Sequence, residues 1–260
     1  MPINYPYEYR ACVDMELNEE PRVFLEGFKP LTILMEILGA TLIILVAIWC
    51  NNYRGGFSWR SDPNLEFNWH PMLMIIGFVF LYANGMLIYR TKRNARKRRL
   101  KLIHGGMMLS IVVLVVIALV AVFDSHNLRP VPIPNMYSLH SWIGLTSVIL
   151  FCCQWLAGFL SFLYPGLQVP LRASYMPIHV YFGIAGFVGV IASCLLGLNE
   201  KAIFTLNDDY SKLVNEAVLI NVIGLLIILF GGLSVYLVSQ ERYKRLSKPE
   251  DESLVSGRNQ

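Results

Sequence analysis

The chain has 260 residues, of which 55% are hydrophobic and only 15% charged, and its net charge is +4. A soluble domain carries about 25% charged residues, so this composition, with a mean hydropathy of +0.49, excludes one or two ordinary water-soluble domains. No nucleic acid is expected among its partners. Six apolar stretches recur, at residues 31–50, 71–89, 103–123, 141–164, 180–198 and 217–238. Each is long enough to cross a hydrocarbon core about 30 Å thick. They fill about half the chain and leave no room for a separate soluble domain. The expected organisation is an N-terminal segment 1–30, a membrane domain 31–238 and a C-terminal tail 239–260.

Residues 1–30 are polar and mixed in charge. They lack the short apolar stretch of a cleaved signal, so the first span is expected to act as an uncleaved anchor. The cysteines, Cys12, Cys50, Cys152, Cys153 and Cys194, contain no CxxC spacing. No disulfide framework or thiolate metal site is expected from them. In the tail, Glu250-Asp251-Glu252-Ser253-Leu254-Val255 is similar to an acidic dileucine-type sorting signal except at Val255.

An even number of spans puts both termini on one side. That side collects residues 1–30, 90–102, 165–179 and the tail, which hold 17 of the 22 Lys and Arg residues. The positive-inside tendency makes it the cytosol. The densest cluster, residues 90–101, lies in the loop between the second and third spans. It reads either as a topology anchor touching anionic lipid or as a landing site for a small anionic substrate.

Four of the five histidines stand at the ends of consecutive spans: His70, His104, His140 and His179. Alternating helix direction sorts them into two pairs at matched depth. His70 and His140 belong to the non-cytosolic surface, His104 and His179 to the cytosolic one. Ionisable groups in a membrane are costly and point to function. Zinc would want three or four ligands, and no Cys, Asp or Glu stands beside either pair. Haem iron needs only axial ligands. Two imidazoles fill both positions and suit electron transfer rather than oxygen activation. Gly105, Gly106, Gly144 and Gly183 follow the histidines and would let a flat macrocycle approach the backbone, or would serve ordinary small-residue packing. Trp69, Tyr137, Trp142 and Tyr181 stand beside the pairs or in the interfacial belt.

Several segments then resemble one family. They are Tyr53-Arg54-Gly55-Gly56-Phe57, Phe67-Asn68-Trp69-His70-Pro71, Leu87-Ile88-Tyr89-Arg90, Tyr137-Ser138-Leu139-His140-Ser141-Trp142, Pro177-Ile178-His179 and Gly197-Leu198-Asn199-Glu200-Lys201. Over about residues 30–245 the chain resembles the cytochrome b561 family of ascorbate-reducible transmembrane reductases. The resemblance implies an all-α membrane protein in which helices 2–5 form a central four-helix bundle holding two haems b, with both termini cytosolic. It implies His70 and His140 as axial ligands to one haem iron, and His104 and His179 to the other. Lys97, Lys101 and Arg172 match cytosolic ascorbate-binding groups. Arg90, Glu200 and Lys244 match positions that contact haem propionates or edges, and Asn135, Met136, Tyr137 and Ser138 match a loop over the non-cytosolic haem. His126, in a non-cytosolic loop, matches a histidine at the acceptor site. The second span departs from the family's commonest form only at Met86-Leu87-Ile88, with Tyr89 and Arg90 kept.

The implied activity moves electrons from cytosolic ascorbate to monodehydroascorbate or ferric iron across an endolysosomal, secretory-vesicle or plasma membrane. A homodimer is implied too. Two other readings meet the composition. A haem anchor subunit would relay electrons to a protein partner, and short loops leave it little docking surface. A haem-free transporter would carry polar or broken helices at mid-bilayer, where Glu36 is the one acidic residue well inside a span.

Overall fold

The computed structural model describes residues 26–246; Cys12, most of the N-terminal segment and the acidic stretch 250–255 lie outside them. Six helices are long and apolar enough to cross a membrane: α1 Phe28–Tyr53, α2 Pro63–Thr91, α3 Lys97–Asn127, α4 Leu139–Phe162, α5 Val169–Asp209 and α6 Asn215–Ser239. In hydrocarbon every backbone N–H and C=O must find its partner within the segment, so each apolar stretch closes into a helix.

The helices run further than the apolar stretches. Hydropathy marks the thickness of the oil, whereas Lys, Arg and Leu continue a helical ladder into water without penalty. The span expected to begin at Val180 belongs to a helix that starts at Val169, with Pro170 in its first turn. Most of 165–179 is therefore helix rather than loop. Lys97 and Lys101 occupy the first turns of α3, and His126 its last turn, so none of the three is a loop residue.

Helices α2 to α5 close a ring, α2 on α3, α3 on α4, α4 on α5 and α5 back on α2. Helices α1 and α6 pair with each other and cover the α2–α5 side. Midway along the bundle, Tyr82 gathers Phe151 at 4.8 Å and Phe187 at 5.4 Å between ring centres. Phe78 closes the group, 5.2 Å from Phe151. The Tyr82 hydroxyl donates to the Gly183 carbonyl at 2.8 Å, so the one polar atom of the cluster is satisfied across the α2–α5 contact.

The two ends are closed by different chemistry. At the end where α1 meets α2, Gly55 and Gly56 have φ of 83° and 90°, a left-handed turn that L side chains resist. The turn brings the Arg54 and Gly56 carbonyls within 3.1 and 2.6 Å of the Asn68 amide nitrogen, two residues before His70. Arg54 itself crosses to α6 and meets Glu216 at 2.6 Å. Trp49 Nε1 donates to the other Glu216 oxygen at 2.9 Å. The Tyr-Arg-Gly-Gly segment is thus a clasp that ties α1, α2 and α6.

At the opposite, basic end, Arg90 donates to the Val238 carbonyl at 2.5 Å and to the Gln240 carbonyl. Arg93 reaches the Tyr243 carbonyl at 3.1 Å. Tyr243 is fully buried, 5.0 Å from the Phe28 ring. The chain after α6 is strapped across the turn between α2 and α3.

Removing Arg54 would strand the Glu216 carboxylate, whose side chain is 8% exposed. Breaking such a pair costs about 3 kcal/mol or more. Arg54→Ala is therefore expected to lower the unfolding midpoint in detergent strongly. Glu216→Gln, which keeps an acceptor for Trp49, is expected to cost about half as much or less.

Candidate functional site

The fold brings the four span-end histidines together in pairs. The His70 ring on α2 and the His140 ring on α4 have centres 6.1 Å apart and planes 85° apart. His104 on α3 and His179 on α5 stand 6.3 Å apart, planes at 74°. A metal–imidazole bond is about 2.0 Å long, and a ring centre lies about 1.1 Å beyond the bonding nitrogen. Opposed axial imidazoles on one metal therefore put their centres about 6 Å apart, and both pairs have that spacing.

Neighbouring helices orient the rings. His70 Nδ1 donates to the Ala118 carbonyl on α3 at 3.2 Å, and His104 Nδ1 to the Gly85 carbonyl on α2 at 2.9 Å. His140 Nδ1 donates to the Ser193 carbonyl on α5 at 2.8 Å. A carbonyl only accepts, so each bond fixes the proton on Nδ1 and leaves the Nε2 lone pair for a metal. His179 Nδ1 is buried without a partner among the described residues. Its ring is walled by Phe162 at 5.4 Å and Tyr175 at 6.1 Å.

Two glycines give these rings their space. A Cβ on Gly197 would stand 2.6 Å from His140 Cε1, and one on Gly158 would stand 2.9 Å from His179 Cε1. Neither was singled out in the sequence as a residue beside a ring, although Gly197 opens one of the segments that carry the family resemblance. Of those that were, Gly144 packs on Ser193 Oγ and Gly105 on Leu163, whereas Gly106 and Gly183 face open space.

Around His70 and His140 opens a cavity of about 270 Å³. His126, Asn135, Met136, Tyr137, Ser138 and Glu200, all named as candidates in the sequence, line it. Arg129 and Lys201 line it too, and the sequence reading gave neither a role. His126 Nδ1 donates to Asn135 Oδ1 at 3.0 Å, and Asn135 Nδ2 to Asn127 Oδ1 at 2.8 Å, which pins the loop 128–138 onto the end of α3. Met136 takes a positive φ of 57°, and its carbonyl accepts from Trp142 Nε1 at 2.9 Å. Ser138 then caps α4, its hydroxyl accepting from the Ser141 amide.

At the basic end, Lys97, Lys101 and His104 follow at i, i+4 and i+7 on one stripe of α3. Lys101 Nζ donates to the Phe162 carbonyl at the end of α4 at 3.1 Å. Arg172 stands two turns before His179 on α5. Lys97, Lys101 and Arg172 thus lie within two turns of His104 or His179 along their own helices. Arg90 and Lys244 are engaged elsewhere, Arg90 on the end of α6 and Lys244 on Glu241 at 2.9 Å.

Residues 69–205 match the family model described as eukaryotic cytochrome b561. The chain belongs to the eukaryotic cytochrome b561 family. It is 42% identical over 219 residues to the human transmembrane ascorbate-dependent reductase CYB561, covering 84% of this chain and 86% of that one. To the Xenopus tropicalis plasma membrane ascorbate-dependent reductase CYBRD1 it is 42% identical over 236 residues, 88% of this chain and 82% of that one. A cytochrome b561 binds haem b, and this chain has what the group demands: imidazole pairs at axial spacing with free Nε2 atoms, glycines against the rings, and a cavity at one pair. Backbone carbonyls and glycines supply much of the support, and neither leaves a signature in the pattern of ionisable residues.

Gly197→Ala would drive a methyl group into the His140 ring. It is expected to lower haem b bound per polypeptide, read from the Soret absorbance of purified protein, while far-UV circular dichroism stays unchanged.

Proposed function

We propose that this protein carries electrons across its membrane through two haems b, one at His104/His179 and one at His70/His140, from cytosolic ascorbate to an acceptor on the far side. The observation that carries this reading is the spacing of the two imidazole pairs. Ala118, which holds His70, lies 14 residues beyond His104 on α3, and Ser193, which holds His140, lies 14 beyond His179 on α5. At 1.5 Å per residue the pairs are about 21 Å apart. Phe78, Tyr82, Phe151 and Phe187 fill the interval, so no substrate has a path through the bundle. Haem b, held by these imidazole pairs, would supply one-electron chemistry rather than oxygen activation.

The chain's own residues supply the rest. The basic end is cytosolic by the imbalance of Lys and Arg. Lys97, Lys101 and Arg172 bind ascorbate, a monoanion at neutral pH, and water at the open helix ends takes the proton that oxidation releases. Across the membrane His126, held by Asn135, faces the acceptor, monodehydroascorbate or ferric iron. Asn135 to Ser138 and Glu200 wall the haem on that side. Residues 31–238 form the working domain, flanked by cytosolic segments 1–30 and 239–260. A homodimer in an endolysosomal, secretory-vesicle or plasma membrane is the form this family membership suggests.

His104→Ala is expected to lose about half the haem and all reduction by ascorbate while the remaining haem keeps its spectrum. Two haems with normal ascorbate reduction would refute the pairing. Charge-assisted hydrogen bonds are worth about 1.5–3 kcal/mol. Arg172→Ala or Lys97→Ala should accordingly raise the KM for ascorbate about tenfold or more, with the haem content intact.

A further inference from the structure

The cavity at His70 and His140 holds two cations that the electron path as stated leaves without a task, Lys201 and Arg129. Lys201 is half-buried on α5, one turn beyond the Gly197 that abuts His140. Its Nζ stands 3.9 Å over the centre of the Phe67 ring, and that ring lies 6.2 Å from the His70 ring. The ammonium thus sits between the elements that carry both imidazoles of the pair. Among the described residues no carboxylate comes within 4.0 Å of it. Arg129 spends its Nε on the Ser125 carbonyl at 2.8 Å, and its terminal nitrogens have no hydrogen-bond partner among the described residues.

An enclosed ammonium without a counter-ion is costly, and a cation–π contact offsets only part of that cost. The site asks for an anion that comes from outside the chain. Glu200 is the one carboxylate lining the cavity among the described residues, and it forms no ion pair with either cation; haem b would bring two more, its propionates. We propose that Lys201, with Arg129 beside it, pairs with a propionate of the haem at His70/His140 and raises the reduction potential of that haem. The inference rests on the haem assignment above. Its physical content is simple: a nearby positive charge favours the iron state with one positive charge fewer.

The test is a redox titration of purified, haem-loaded protein followed in the visible α-band. The variants are Lys201→Met, Lys201→Arg and Arg129→Gln. At a fixed ambient potential, Lys201→Met is expected to lower the reduced-to-oxidised ratio of one haem about tenfold, which is about 59 mV for a one-electron couple. The second haem stays put, and Lys201→Arg stays close to wild type. Repeating Lys201→Met in a His104→Ala background, which keeps only the far-side haem, should reproduce the shift. Arg129→Gln should move the same haem in the same direction, and serves if Lys201→Met fails to accumulate. Unmoved midpoints with both haems bound would overturn the proposal, as would a shift confined to the other haem. A raised KM for the acceptor with unmoved midpoints would also overturn it, giving Lys201 to the acceptor instead. A wild-type protein that lacked two titrating haems would sink the haem assignment itself, a result separable from all of these.

Discussion

The bond from an imidazole Nδ1–H to a backbone carbonyl on a neighbouring helix is the constraint from which the rest follows. It fixes the tautomer and aims Nε2 at a metal. Because the carbonyl belongs to a helix that also carries a histidine of the other pair, each bond ties the two ends of the bundle together. On α3 the same helix presents His104 at one depth and the Ala118 carbonyl for His70 at another. On α5, His179 and the Ser193 carbonyl for His140 are related in the same way. Fourteen residues make about 3.9 turns, so ligand and anchor emerge on nearly the same face. On α2 the interval from His70 to Gly85 is fifteen. The π-helical stretch Met74–Leu81 absorbs the additional residue and restores the phase. Sliding any of these helices by one residue would turn its anchor by about 100° and disorient rings at both ends.

Such a register needs the helices held against sliding. Packing in lipid supplies no hydrophobic drive between apolar helices, so polar clasps at the bundle ends do that work. Arg54 with Glu216 fastens α1 to α6 at one end, and Arg90 with Arg93 fastens α2 to the chain after α6 at the other. Two of the clasp side chains, Arg54 and Arg90, belong to the segments by which the family can be recognised. Their pattern in sequence therefore reports on how the histidines are positioned as much as on the histidines themselves.

The pairing of the histidines was legible in sequence because it depends on span count and helix direction, both visible in hydropathy. Helix ends were not, because hydropathy tracks the oil rather than the hydrogen-bond ladder. For that reason His126 and residues 169–179 read as loop and fold as helix. The anchors Ala118, Gly85 and Ser193 act through their backbone, so residue type says little about them. Gly158 and Gly197 each lie 18 residues after the histidine preceding them on their own helix, and each serves a ring on the neighbouring helix. Only the folded contact reveals which glycine that is.

The two ends treat negative charge differently, and the difference gives the path a direction. Lys97, Lys101 and Arg172 stand near the basic-end termini of α3 and α5, where salt screens attraction beyond about 10 Å, so in the proposed role they would act mainly on capture of a small anion. Lys201 is enclosed, and its field reaches the far pair through Phe67. With 3.9 Å from ammonium to Phe67 and 6.2 Å from Phe67 to His70, roughly 10 Å at most separate the charge from the imidazole. At an effective dielectric constant of about 20, one charge at that distance is worth about 1.7 kcal/mol. That is enough to bias an electron about tenfold toward the far pair. A chain of similar helices can thus run electrons one way by putting its open cations at the end where the donor arrives and its enclosed cation at the end where the electron must stay.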